Sequence, residues 1–309
     1  MKAIVTGASG FVGRHLRSHL LEHGDSVSGL DMVESDGVAE VNILDADCVL
    51  KAFQDAKASG NDEDDLAVYH LAAVSHVGAS WDNPAETWQI NAIGTVNVLA
   101  AARAVGAHRV LVVASSEVYG TVRPEQCPVD ESCELRPTSP YGASKAAADI
   151  AALQAWLGAG LPTIRVRAFN HTGPGQSPAF LLPALAQRIA AAERNGESSI
   201  AIGNLDAIRD ISDVRDVVRA YRLLAERGRP GEAYHVCSGD GHSVRELAEM
   251  LLAASPNVNE LAVDPTLVRA VEIPVLVGSN AKLRQEIGWA PSIPLAQTLA
   301  ELLDAARRY

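Results

Sequence analysis

The segment Lys2-Ala3-Ile4-Val5-Thr6-Gly7-Ala8-Ser9-Gly10-Phe11-Val12-Gly13 constrains this chain more than any other. Lys2 to Thr6 is apolar and β-branched and reads as a strand, whereas Phe11 to His23 carries a helical pattern. Glycines at 7, 10 and 13 join the two. That spacing permits a tight turn, close approach of a ligand to backbone, and close packing of helix on strand. The first turn of such a helix offers free N–H groups and the positive end of its dipole, which suits a pyrophosphate. A purely structural turn is the competing reading. A dinucleotide is favoured because a strand precedes, a helix follows, and Asp31 closes the next strand run, Ser26 to Asp31. A carboxylate there accepts hydrogen bonds from ribose hydroxyls and repels a 2′-phosphate. NAD(H) is therefore preferred, with NADP(H) as the alternative. Glu34 and Asp36 compete for the role if the strand ends later.

Further strands are expected at Val68–Ala72, Arg109–Ala114 and Leu161–Arg167, with helices around 93–105 and 141–157. Such alternation predicts an α/β fold with right-handed crossovers and a doubly wound parallel sheet. The rhythm is lost after Phe169. Prolines 174, 178 and 183 punctuate a loop-rich stretch, and helices are expected at 180–194, 214–227, 243–254, 280–287 and 295–308. We expect residues 1–168 to form the dinucleotide-binding domain and 169–309 a smaller α+β substrate domain, with some chain crossing back to the sheet. The acidic run Asn61–Asp65 reads as a solvated loop.

The 38 Asp and Glu outnumber 26 Lys and Arg, for a net charge of -12. Such a surface repels nucleic-acid backbone and anionic lipid, so neither is an expected partner. No apolar run approaches the roughly 20 residues of a membrane span. The start lacks the apolar stretch of a signal peptide. Cys48, Cys127, Cys133 and Cys237 are far apart and read as reduced thiols of a cytoplasmic protein. No His, Cys, Asp and Glu cluster has metal-ligand spacing, so no metal is expected. His70 lies in an apolar strand and reads as a satisfied core histidine.

Tyr141 and Lys145 fall at i and i+4 near the start of a helix, on one face. A tyrosine with pKa near ~10 exchanges protons poorly at neutral pH until a cation stabilises its phenolate, and Lys145 can supply that charge. A surface aromatic–lysine contact is the plain alternative. Ser115-Ser116-Glu117-Val118-Tyr119-Gly120, just after an expected strand, argues for the chemical reading.

Together with His70-Leu71-Ala72-Ala73, Asn91-x-x-Gly94-Thr95 and Tyr141-Gly142-x-Ser144-Lys145, these motifs resemble the extended short-chain dehydrogenase/reductase superfamily, along essentially the whole chain. The resemblance implies a Rossmann-type sheet and a nucleotide-linked sugar as substrate. It implies that Ser115 polarises a carbonyl, Tyr141 transfers the proton, and Lys145 lowers the tyrosine pKa and reaches the nicotinamide ribose, with Ser116 and Glu117 beside them. By the same resemblance Gly7, Gly10, Phe11, Val12, Gly13, Asp31, Asn42, Ile43, Leu71, Ala72, Ala73 and Asn91 hold the cofactor. The stretches Arg167–Gln176, Val214–Tyr221 and Val236–Gly239 look like those of GDP-sugar enzymes. They imply reduction of the C4 ketone of GDP-4-keto-6-deoxymannose to GDP-D-rhamnose. Asn170 and Arg209 would meet the diphosphate, and Arg269 and Glu272 the guanosine end. An ordinary turn residue and an Arg209–Asp210 surface pair are the plain readings of the first two. His171 flanks Asn170. Ser75, His76 and Ser80 lie in a loop that approaches substrate, or are simply surface positions. The family usually has Arg-Pro where this chain has Arg269-Ala270. Alanine-rich helices at 92–105 and 143–155 suggest a homodimer. Two other functions stay open: a 4,6-dehydratase or 4-epimerase, for which Glu117 speaks, and a non-catalytic NAD-binding sensor.

Overall fold

The computed structural model describes residues 1–59, 65–264, 267 and 273–308. Arg269 and Glu272, and Asn61 to Asp64 of the acidic run, lie outside the described residues. The first half runs β1 (Lys2–Thr6), α1 (Phe11–Glu22), β2 (Ser26–Asp31), β3 (Val38–Glu40), α2 (Ala46–Ala58) and β4 (Leu66–His70). Short helices α3 (Val77–Asp82) and α4 (Pro84–Trp88) follow. A π turn (Gln89–Ile93) leads into α5 (Gly94–Ala104), β5 (Arg109–Val113), α6 (Pro140–Ala159) and β6 (Thr163–Ala168). The second half holds β7 (Asn170–Thr172), α7 (Leu181–Asn195), β8 (Ser199–Ile202), β9 (Ile208–Asp213), α8 (Val214–Arg227) and β10 (Ala233–Val236). It ends with β11 (Gly241–Ser243), α9 (Val244–Ala253), β12 (Glu260–Val263), β13 (Val275–Leu276), α10 (Ala281–Ile287) and α11 (Leu295–Arg307).

Seven strands form one sheet in the order β10-β6-β5-β4-β1-β2-β3, and every pairing in it is parallel. The doubly wound Rossmann arrangement expected from the alternation is therefore present, extended by β10 at one edge. Its central strands β1, β4 and β5 are largely apolar and buried because helices cover both faces. Ala3 and Val5 of β1 join one core with Leu16, Tyr69, Leu111, Val217 and Tyr221, on the side of α1 and α8. Ile4, between them, points to the opposite core with Phe53, Val68, Val98, Val110 and Ala152, under α2, α5 and α6. Strand order reverses between β1 and β4, and in sheets of this kind ligands bind outside the carboxyl ends of the strands at that point.

The chain after Phe169 serves two places. α8 and β10 complete the large sheet and its cover, whereas α7, α9 and α11 close a separate core around Leu185, Ile189, Leu247, Leu251, Leu299 and Leu303. A small sheet of β11, β9 and β13, with β7 also paired to β9, lies between.

Two local expectations differ from the structure. The strand expected at 68–72 runs from Leu66 to His70 instead. Its register is set by pairing Leu66 with Lys2 and His70 with Thr6, which leaves Ala72 outside the sheet. Asn170, weighed as a turn residue, begins β7.

Candidate active site

Gly7 adopts φ +71, and a Cβ added there would stand 2.7 Å from the backbone nitrogen of Ala72. A Cβ on Gly13 would meet the carbonyl oxygen of Gly7 at 2.1 Å. Both glycines are therefore required to bring β1, α1 and the loop after β4 together. α1 starts with Gly10 as its N-cap, with no side-chain cap and no acidic residue in its first turn. No side chain caps the orphan N–H groups of that end and no acidic residue of its first turn answers its dipole, so it fits a pyrophosphate.

The remaining residues expected at the cofactor surround this turn. Phe11 stacks on His171 with ring centroids 6.3 Å apart, and Val12 packs on the adjoining core. Asp31 accepts from the backbone N–H of Ser9 at 2.8 Å and of Met32 at 2.7 Å. The carboxylate is thus fixed beside the glycine turn, with its remaining lone pairs available to hydroxyl donors. Asn42 is exposed and accepts from the N–H of Leu44, while Ile43 is buried against Gly94. Leu71 donates its N–H to the Thr6 carbonyl and Ala72 to the Thr6 hydroxyl; Ala73 follows, half-buried. Asn91 sits in the π turn, a distortion that often marks a functional position. Its amide both donates to and accepts from the backbone of Val74 and also donates to Ser144 Oγ at 2.9 Å.

The chemical residues converge at the carboxyl end of β5. Ser115 caps a single 3₁₀ turn over Ser116–Tyr119, accepting the N–H of Glu117 at 3.2 Å, and Ser116 is buried. Ser115 also stands near enough to the Tyr141 hydroxyl to favour its ionised form. Tyr141 enters in the first turn of α6, whose N-cap Ser139 accepts the N–H of Gly142. One turn later Lys145, buried, donates Nζ to the Val113 carbonyl at 2.8 Å.

The expected lowering of the Tyr141 pKa by Lys145 is not what this arrangement produces. Burial pushes the phenol up to about 12; the nearby Ser115 hydroxyl opposes this only in part, and the Glu117 carboxylate adds to it. Burial also pulls Lys145 down to about 8. Tyr141 accordingly holds its proton at neutral pH.

The residues expected to meet substrate divide. Ser75 is exposed on the loop after β4. His76 caps α3, accepting the N–H of Ala79, and its other nitrogen lies 3.3 Å from the Ala179 carbonyl. Ser80 is buried and accepts the backbone N–H of Tyr141 at 3.2 Å, so it holds the tyrosine. Asn170 pairs in register with Ile211, which puts it on the face of the small sheet that also carries Arg209. Arg209 does not pair with Asp210: that buried carboxylate accepts from the backbone of Ser238, Gly239 and Gly278 and from the Ser238 hydroxyl. His171 bonds the Phe169 carbonyl through Nδ1 and lies against Phe11, on the side of the glycine turn.

Sequence reasoning passed over Thr6, Thr95 and Ser144 as functional side chains. Each bonds a residue distant in sequence, and no spacing signals such partners. Arg14 was missed as well, although it stands one turn into α1 and donates to the Ser9 and Gly175 carbonyls. Among the described residues no three His, Cys, Asp or Glu side chains gather as metal ligands, and no helix is long and apolar enough to cross a membrane.

Comparison with known proteins agrees with this geometry. The family model described as GDP-mannose 4,6 dehydratase matches residues 4–302. The GDP-6-deoxy-D-mannose reductase of Pseudomonas aeruginosa is 34% identical over 98% of this chain and 96% of its own. The solved structure of RMD from Pseudomonas aeruginosa complexed with NADPH superposes with a TM-score of 0.87 at 33% identity, covering 99% of both chains. UDP-glucose 4-epimerase of Thermus thermophilus, in complex with NAD, superposes with a TM-score of 0.88 at 27% identity, again over 99% of both. The chain belongs to the GDP-mannose 4,6-dehydratase family of extended, NAD(P)-dependent short-chain dehydrogenase/reductase enzymes.

Proposed function

We propose that this protein reduces the C4 ketone of a GDP-linked 4-keto-6-deoxy sugar, GDP-4-keto-6-deoxymannose to GDP-D-rhamnose. The observation that carries the reading is Ser115 beside Tyr141, with Lys145 one turn further along the same helix and bonded to the end of β5. Two neighbouring hydroxyls can both donate to one carbonyl oxygen. Ser115 polarises the ketone, and Tyr141, which keeps its proton at neutral pH, delivers it as the oxygen gains charge. Gly7, Gly10 and Gly13, the first turn of α1 and Asp31 would hold a dinucleotide, NAD(H) in preference to NADP(H). Its nicotinamide supplies the hydride when bound. Asn170 and Arg209 would face the sugar diphosphate. The match to GDP-6-deoxy-D-mannose reductase supports the choice of nucleotide and reaction.

A dehydratase is the second reading, because Glu117 lies close enough to act on Tyr141 and could move a proton from carbon. Such an enzyme recycles its cofactor, whereas a reductase consumes one reduced cofactor per turnover. Mixing purified protein, NADH and the keto sugar should bleach the NADH absorbance in proportion to sugar. No net oxidation rejects the reductase reading. Tyr141→Phe should retain NADH binding and lose turnover by about 10²–10⁴-fold.

The same reading includes a homodimer. Val96 on α5 and Ile150 and Leu157 on α6 are 49%, 57% and 74% exposed, an apolar surface that a second copy would cover. Light scattering showing a monomer at micromolar concentration rejects it.

A further inference from the structure

We propose that His70 is a positioning residue that ties the cofactor turn to the helix bearing Tyr141, through opposite nitrogens of one buried ring. The inference rests on the site reading above, in which that turn holds a dinucleotide and Tyr141 donates the proton.

His70 ends β4 and is 3% exposed. Its Nδ1 lies 2.8 Å from Thr6 Oγ1 and its Nε2 lies 2.9 Å from Thr95 Oγ1. The direction of each bond can be deduced. Thr95 gives its hydroxyl proton to the Asn91 carbonyl at 2.6 Å, and a carbonyl only accepts. Thr95 Oγ1 must then accept from the ring, so Nε2 carries the hydrogen. In the neutral ring Nδ1 is bare and takes the Thr6 hydroxyl proton, and Thr6 Oγ1 accepts the Ala72 N–H. Burial and the nearby Lys145 charge keep the ring neutral, with its pKa pulled down to about 3. A single tautomer satisfies every partner.

Each end of this chain reaches a part of the site. Thr6 precedes Gly7, and Ala72 is the residue a Cβ on Gly7 would strike. On the other side Asn91 grips the Val74 backbone and donates to Ser144, and Ser144 donates to the Tyr141 carbonyl at 2.8 Å. Strand pairing sets Thr6 beside His70, and helical turns join Thr95 to Asn91 and Ser144 to Tyr141; the His70–Thr95 and Asn91–Ser144 bonds are the ones that link these separate elements. A core histidine that merely packs needs neither this fixed tautomer nor these two termini.

The test uses shape-preserving variants and two readouts, NADH affinity by fluorescence titration and kcat with the keto sugar. Thr6→Val should raise the NADH Kd about tenfold and lower kcat by a smaller factor, and Thr95→Val should lower kcat about tenfold and raise the Kd by a smaller factor, because the ring passes part of each loss to the other end. His70→Phe should show both losses, and adding either valine to it should change little further. Conservative replacement should split the effect. His70→Asn places an oxygen near Nδ1 and should restore affinity, whereas His70→Gln places an amide N–H near Nε2 and should restore kcat. If His70→Phe does not fold, the Thr6→Val/Thr95→Val double variant decides. A double effect smaller than the product of the singles supports coupling through the ring, and a purely multiplicative one overturns it. His70→Phe with wild-type Kd and kcat also overturns it. Wild-type protein that neither binds NADH nor oxidises it overturns the site reading itself, and the His70 role with it.

Discussion

Gly13→Ala sets two calculable effects against each other. In a helix interior alanine is favoured over glycine by about 1 kcal/mol, so propensity alone predicts stabilisation. The structure predicts the opposite. The new Cβ would stand 2.1 Å from the Gly7 carbonyl oxygen and 2.9 Å from two Ala8 backbone atoms. All three are main-chain atoms of a turn pinned by β1 and Ala72, so relief requires opening the turn by about 1 Å. Overpacking of this kind costs about 1–3 kcal/mol or more. With a backbone clash this close the cost lies at the upper end of that range, and the net is roughly 2 kcal/mol of destabilisation, or about 3 °C in Tm for a chain of this length. The same displacement misaligns the N–H groups that would meet the pyrophosphate. Each hydrogen bond to a charged group is worth about 1.5–3 kcal/mol, so the NADH Kd should rise about 10- to 100-fold. Gly10→Ala is the control: its nearest contact is 3.1 Å, from one atom, and its φ of -66 suits any residue. It should cost under about 1 kcal/mol. Calorimetry and NADH titration on both variants decide the matter. A Gly13→Ala protein with unchanged Tm and affinity would falsify the argument that this contact shapes the turn.

Asp31→Ala should weaken NADH and shift preference towards NADPH by about tenfold or more in relative Kd, since one carboxylate both serves the ribose and repels a 2′-phosphate; an unaltered ratio refutes the role. Lys145, held at about 8, is charged below that pH, so kcat/KM should fall on the alkaline side with a midpoint near 8. Lys145→Arg should move that limb upward. Stability should respond oppositely, because between about 8 and 10.5 the unfolded chain binds more protons at this residue than the folded one. His70 and His235 are both pulled down to about 3 by burial. They are neutral in the fold and protonated when unfolded between about 3 and 6.5. Their contribution is complete above 6.5 and is lost as pH falls, on the order of 1 kcal/mol per pH unit per histidine. Urea midpoints from pH 7 to 4 measure this, and His235→Gln should flatten the slope.

Long helices and the first strands of the sheet were legible because their signals are local. Val214 to Arg227 carries apolar residues at helical spacing and ends before Gly228, and the expected span matches. β1 and β2 have the expected bounds, Lys2–Thr6 and Ser26–Asp31, the first marked by its apolar run. α2 went unread although Asp45 caps it and Val49, Phe53 and Ala56 form its buried face. The three-residue β3 is too short to show a period. β10 could not be assigned to the large sheet, since its partner β6 lies over 60 residues earlier and only folding brings them together.

The same division runs through the site. Sequence alone determined that a glycine turn joins a strand to a helix, that Asp31 ends the next strand, and that Tyr141 and Lys145 share a helix face, because each depends on spacing within one or two elements. Tertiary structure decided what those groups do to one another. It buried Tyr141 against Ser115 and Glu117, so that its pKa rises where a neighbouring lysine suggested it would fall. It set Asp210 on the backbone of two other loops, at Ser238–Gly239 and at Gly278, and not on Arg209. It also set His70 between two threonines drawn from β1 and α5. Burial and hydrogen-bond direction depend on what stands across the gap, and chain spacing carries no record of that.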